Sequence, residues 1–98
     1  MNLKRQENDM KSFQLNIMTP EKVFFSGKVD MVIMKSTEGD MAVKKNKSPL
    51  MAILVPGKVR IFENDKKKTA QIDAGYVRIY ENDVTVITEI AQWDEVAE

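Results

Sequence analysis

Glu38-Gly39-Asp40-Met41-Ala42-Val43, the polar stretch Lys44-Lys45-Asn46-Lys47, and Ser48-Pro49-Leu50-Met51-Ala52-Ile53-Leu54-Val55-Pro56-Gly57-Lys58-Val59-Arg60-Ile61 decide the fold. A glycine turn leads into a short alternating strand, a lysine-bearing loop follows, then an almost wholly apolar strand, a Pro-Gly turn and a second alternating strand. Alternation buries one face of a strand. An unbroken apolar run such as residues 50–55 fits either a covered sheet face or a face that meets a partner.

Working outward, the period stays at two. Phe13, Leu15 and Ile17 alternate with Gln14 and Asn16, which predicts a strand buried on one side and ended by Thr19-Pro20. Residues 23–25 form a second short strand closed by Ser26-Gly27. Residues 28–36 read as one long strand whose Met31-Val32-Ile33-Met34 centre is apolar on both faces. In the second half, Lys58-Val59-Arg60-Ile61-Phe62-Glu63-Asn64-Asp65 recurs as Tyr76-Val77-Arg78-Ile79-Tyr80-Glu81-Asn82-Asp83. Each copy predicts a strand with Val and Ile inward and Arg outward, then a turn whose Asn and Asp tolerate left-handed backbone. With return strands over 69–73 and 84–88, and Ala74-Gly75 between them, the repeat predicts a four-stranded antiparallel meander.

These elements predict an all-β fold, a two-sheet antiparallel β-sandwich of about eight to ten short strands. Residues 1–12 read as a polar, flexible lead-in, 13–90 as the sandwich, and 91–98 as a C-terminal stub that admits the start of a helix.

Composition narrows the function. A chain of 98 residues supports one core. Lys plus Arg and Asp plus Glu both number 15, so there is no basic excess for nucleic acid or an anionic bilayer, and a protein partner is expected. Cysteine and histidine are absent, which removes thiolate nucleophiles, the usual zinc sets and the common neutral-pH general base. No stretch approaches the roughly 18 apolar residues of a membrane helix. No phosphate-cradling glycine loop or nucleophile elbow occurs, and no cofactor or metal is expected.

The motifs carry a resemblance. Glu38-Gly39 through Pro49-Leu50 to Pro56-Gly57-Lys58-Val59-Arg60-Ile61, together with Phe25-Ser26-Gly27-Lys28-Val29 and with Ala74-Gly75 followed by Val84-Thr85-Val86, resembles the N-terminal β-sandwich domain of the epsilon subunit of the rotary F-type ATP synthase. The likeness runs from Phe13 to Trp93. It implies a non-catalytic rotor component of the central stalk, peripheral at the cytoplasmic face of the cell membrane. Such a component couples the gamma subunit to the membrane proteolipid ring during ATP synthesis driven by ion transport. Two departures stand out. Ala42-Val43 replaces the family's usual Gly-Ile or Gly-Val, and Lys47-Ser48-Pro49 replaces a loop ending in His-x-Pro. The sequence also stops where the family's two C-terminal helices begin, so it is expected to lack that hairpin.

The resemblance implies a ring-facing surface of Asp40, Lys44, Lys45, Asn46 and Lys47, and gamma-facing positions at Thr19 and Ala52. Each has a plainer alternative: a solvated turn for the lysines, a turn residue for Thr19, core for Ala52. Met31, Met34, Met41 and Met51 are either core filling or an exposed gamma-binding patch. Lys66-Lys67-Lys68 reads as a solvated hairpin tip. Glu63, Asp65, Glu81 and Asp83 could form an acidic site but belong to turns. A competing function is a free-standing ligand-binding sandwich, for which Phe62, Tyr76 and Tyr80 are the available aromatic residues.

Overall fold

The computed structural model describes residues 11–94. Among them are ten strands: β1 (Phe13–Met18), β2 (Val23–Val29), β3 (Met31–Ser36), β4 (Gly39–Val43), β5 (Leu50–Leu54), β6 (Gly57–Glu63), β7 (Lys66–Ile72), β8 (Gly75–Tyr80), β9 (Asp83–Thr88) and β10 (Ala91–Trp93). Hydrogen bonding runs in the order β10-β7-β6-β3-β5-β8-β9-β1-β2, with β4 on the other edge of β3. The strand β3 divides the two layers. Its Met31, Val32 and Ile33 pair with β6, whereas Ser36 pairs with Leu54 of β5.

Between the layers lies one apolar cluster, built from the alternate residues of each strand: Phe13, Leu15 and Ile17 of β1 meet Val59 and Ile61 of β6, Val77 and Ile79 of β8, and Val84 and Val86 of β9. Period two specifies which face turns inward, and a one-residue slip would expose the whole row, so register is strongly fixed. Among the described residues every ladder is antiparallel except β1 with β9, which run parallel from Gln14 beside Asp83 to Met18 beside Ile87. The antiparallel sandwich expected from the sequence thus carries one parallel ladder. The first strand enters beside the β8–β9 turn, where the Gln14 amide donates to the Asn82 carbonyl at 3.0 Å, and so it runs alongside β9.

Three further expectations change. Residues 28–36 are two strands, because Asp30 turns the chain between layers: its amide donates to Phe62 O at 2.7 Å, and its carboxylate accepts from the Asn64 amide at 2.8 Å. The expected meander is two hairpins in different layers, since β7 pairs β6 and β10 while β8 pairs β5 and β9. Each hairpin has one apolar face, and placing them in opposite layers buries both faces against one another. Finally, Ala91–Trp93, where a helix start was admitted, is strand β10 on the edge of β7. Pairing there satisfies backbone groups that a short isolated helix would leave open. The expected lead-in over 1–10 and the stub over 95–98 lie outside the described residues.

The two ends of the strand order close through side chains. Trp93 of β10 stacks on Phe24 of β2 with ring centroids 4.5 Å apart and meets Phe25 edge-on at 6.0 Å. Lys68 Nζ sits 5.7 Å from the Phe25 ring centre and 5.8 Å from that of Trp93. The Lys66–Lys68 run is therefore strand β7 rather than hairpin tip, and Lys68 covers an aromatic seam. Asp94 anchors the same segment by an ion pair to Lys58 Nζ at 2.6 Å and by its amide to Thr69 O at 2.8 Å. Trp93 is 40% exposed, so its truncation removes part of a large aromatic contact. Trp93→Ala is expected to cost about 2 kcal/mol, read as a lower urea midpoint by circular dichroism; an unchanged midpoint would show that the seam adds no stability.

Candidate docking surface

The strand β5 explains its own unbroken apolar run. Leu54 is fully buried and Ala52 is half-buried against the core, while Met51 and Ile53 point the other way and are 62% and 58% exposed. Across the ladder, Met51 lies opposite Arg78 and Ile53 opposite Tyr76. Along β8, Tyr76, Arg78 and Tyr80 share this outer face, with Val77 and Ile79 buried beneath. The face continues onto β9 and β1 through Ile87, opposite Tyr76, and Met18, beside Ile87. It is a contiguous apolar and aromatic surface turned to solvent, of the kind that marks a protein contact.

Further along this layer, a polar patch lies across β1, β2 and β9. Gln14 Nε2 donates to Asn16 Oδ1 at 3.0 Å and to Ser26 Oγ at 3.1 Å, and Asn16 Nδ2 donates to Asp83 Oδ1 at 3.3 Å. This hydrogen-bonded patch borders the apolar zone as a rim.

Thr19 lies at one lip of the apolar face. Its backbone and hydroxyl close the β1–β2 turn on Lys22, with the Thr19 amide donating to Lys22 O at 2.9 Å. Beside it, Met18, Pro20, Ala74, Tyr76 and Ile87 line a shallow apolar cleft of about 360 Å³. Ala52 belongs to the inward row opposite Val77, so the structure brings it near the face only through its neighbours Met51 and Ile53. Those two residues, with Tyr76, Arg78 and Tyr80, were not singled out as contacts by sequence reasoning. The available signal was an apolar run beside a strand whose outward positions are Tyr, Arg and Tyr.

Asp40 and the lysine loop were expected on one surface, and the fold separates them. Asp40 is exposed near the start of β4, opposite Lys35, in a hairpin held by Ser36 Oγ donating to Gly39 O at 2.8 Å. Lys44 follows the far end of β4, about 13 Å away at the usual rise per strand residue. There the loop is pinned to the β8–β9 turn: the Asn46 amide donates to Asn82 Oδ1 at 2.6 Å, and Asn82 Nδ2 donates back to Asn46 Oδ1 at 3.4 Å. Both asparagines have positive φ, 68° and 63°, a conformation that asparagine adopts more readily than most residues.

The methionines divide likewise. Met34 is core, Met31 and Met41 are half-buried, and Met51 is on the outer face. Phe62 belongs to β6 in the opposite layer from Tyr76 and Tyr80, so the three aromatic residues form no common groove. Glu63 and Asp65 are likewise in a different hairpin from Glu81 and Asp83.

The fold has counterparts among known proteins. The family model described as ATP synthase, Delta/Epsilon chain, beta-sandwich domain matches residues 12–94. The chain belongs to this family. An ATP synthase epsilon chain from Chlorobium limicola is 40% identical over 80 residues, covering 81% of this chain and 91% of that one. Another from Alkaliphilus oremlandii is 37% identical over 84 residues, covering 86% of this chain. The chain spans 63% of that relative's length and 65% of the epsilon chain from Ruminococcus albus. In structure, a chain of the Euglena gracilis mitochondrial ATP synthase OSCP/F1/c-ring assembly superposes with TM-score 0.81 at 19% identity, covering 88% of this chain and 56% of that one. A second, from the Tetrahymena thermophila mitochondrial ATP synthase central stalk and c-ring, gives 0.69 at 15% identity, covering 81% of this chain and 64% of that one. At those identities the likeness concerns the fold.

Proposed function

We propose that this chain is a non-catalytic rotor component of an ATP synthase, an epsilon-type subunit that joins the gamma subunit to the proteolipid ring at the cytoplasmic face of the membrane. The observation that carries the reading is the exposed apolar face of β5 and β8 on a closed, strongly registered sandwich of this family. Transmitting torque requires a stiff body and contacts that do not slip. A sandwich with fixed register supplies stiffness, and an interface on the order of 1,600 Å² built around Met51, Ile53, Tyr76 and Tyr80 supplies grip on the gamma subunit. Thr19 forms the lip of that contact and Ala52 backs it from the core side.

The ring contact falls on one end of the sandwich. The end bearing Glu38 and Asp40 presents free carboxylates on an exposed hairpin suited to charged ring loops. Lys44, Lys45, Asn46 and Lys47, expected on the same ring-facing surface, follow the far end of β4, where the first three lie beside Asp30, Met31 and Phe62. In this role the domain performs no chemistry: ion flow turns the ring, and the domain carries that rotation to the shaft.

Co-purification with the gamma subunit and with detergent-solubilised ring tests the reading at micromolar concentration. Asp40→Lys is expected to weaken ring association about tenfold at low salt, with a deficit that shrinks as salt rises, and to leave gamma association intact. Failure of the unaltered chain to associate with either component would overturn the proposal, and an unaffected ring contact in Asp40→Lys would place that contact elsewhere.

A further inference from the structure

Arg78 stands in the middle of the apolar face. On its own strand it lies between Tyr76 and Tyr80, and across the ladders it faces Met51 on one side and Thr85 on the other. Among the described residues its guanidinium makes no ion pair, no hydrogen bond and no cation–π contact. A shallow groove of about 550 Å³ runs beside it, lined by Pro49, Leu50, Met51, Ile79 and Tyr80.

The internal repeat supplies a contrast within the same molecule. Arg60 occupies the equivalent position of the first copy, yet its neighbours two residues away on the strand are Lys58 and Phe62, and Lys58 is committed to Asp94. Arg60 lies on the other layer, opposite Thr69 and Ile33. Two arginines of the same local pattern thus sit in different surroundings, one on a mixed polar surface and one ringed by Tyr, Tyr and Met. A guanidinium is weakly hydrated, rigid and forked, and arginine within an aromatic patch is a frequent centre of protein interfaces. Covering such a face would strand the charge unless the partner supplies an acceptor.

We infer that Arg78 is the specificity-determining residue of this face, and that it pairs with a carboxylate on the partner protein, carried by a segment whose adjacent apolar side chain enters the groove beside Leu50 and Tyr80. The inference rests on the reading of this face as the side that docks on the gamma subunit, and it adds the chemistry of the partner surface: one acid among apolar residues. A planar guanidinium donates two parallel N–H bonds to one carboxylate, so lysine is an imperfect substitute.

The test measures dissociation constants between the chain and its gamma subunit across a salt series. Arg78→Gln is expected to weaken binding on the order of 30-fold or more and to flatten the salt dependence. Arg78→Lys falls between, and Arg60→Gln binds like the unaltered chain. Because Arg78 is exposed, thermal melting of these variants is expected to match the unaltered chain, separating binding from folding. Arg78→Glu combined with reversal of the partnering acid on the gamma subunit is expected to restore binding. If Arg78→Gln binds within about twofold of the unaltered chain while Ile53→Asp abolishes binding, the pairing is overturned and the docking face stands. If both variants bind normally, the face is not the docking side and the inference falls with it.

Discussion

Gly75→Ala is expected to give a chain that melts about 20 °C below the unaltered protein or does not fold cooperatively at all. Gly75 begins β8 directly opposite Thr88 of β9. A Cβ built there would lie 2.0 Å from the Ile87 carbonyl oxygen, 3.0 Å from its carbonyl carbon and 3.1 Å from Thr88 Cα. All three atoms are backbone, so no side-chain rotation relieves the overlap, and the strands must part. Parting them also disturbs the buried Thr88 hydroxyl, whose Oγ1 lies within 3.0 Å of Ala74 O and 3.1 Å of Asp73 O. An overpacked site costs about 1–3 kcal/mol and a disrupted buried hydrogen bond about 1–2 more. For a domain of this size, each kcal/mol moves the melting temperature by about 4–8 °C. Thermal unfolding by circular dichroism reads the effect directly, with the exposed neighbour substitution Ala74→Ser expected to stay within about 0.5 kcal/mol. A Gly75→Ala melting point within a few degrees of the unaltered chain would mean that β8 and β9 do not approach as described.

Ile53→Asp is expected to reduce affinity for the gamma subunit by more than about 100-fold, while the domain still folds. The side chain is 58% exposed in the free chain and sits between Tyr76 across the ladder and Met51 on its own strand. A carboxylate there is hydrated in solution, so folding suffers only the modest strand penalty of Asp, about 1 kcal/mol. On docking it must shed water without a partner, which costs several kcal/mol. Ile53→Thr keeps the β-branch and separates strand propensity from charge; it is expected to lose only a few-fold. Titration calorimetry measures both, and equal affinity of Ile53→Asp and the unaltered chain would remove this face from the interface.

Much of the fold was legible because its information is local. Alternation in residues 13–17, 58–61 and 76–80 marked which side chains are buried, and Asn64 and Asn82 marked turns through the left-handed backbone they adopt. The break at Asp30 was hidden, since nothing in the neighbouring sequence announces that its amide and carboxylate bind Phe62 and Asn64, residues distant along the chain. Lys66-Lys67-Lys68 was misplaced for a related reason: the turn of Asn64 and Asp65 is tight, with Glu63 already paired to Lys66, so the lysines fall in a strand that composition alone would call loop.

The candidate surface was less legible. Asp40 and the 44–47 loop are close in sequence, and only the extended geometry of β4 shows that they belong to opposite ends of that strand. Ala52 was read from a matching position, whereas strand parity gives the outer face to Met51 and Ile53. A sequence records which residues are apolar but not which apolar residues remain without a covering layer.

By itself the sequence determined the all-β class, the alternation that builds the core and the family to which the chain belongs, because these depend on side-chain period, turn chemistry and motif spacing. Tertiary structure alone decided that the two repeated hairpins lie in opposite layers, that Phe24 and Trp93 close the seam, and that one of two like arginines stands on an apolar face. Each of these depends on contacts between residues far apart in the chain, where hydrophobic burial chooses among arrangements that local sequence leaves equally possible.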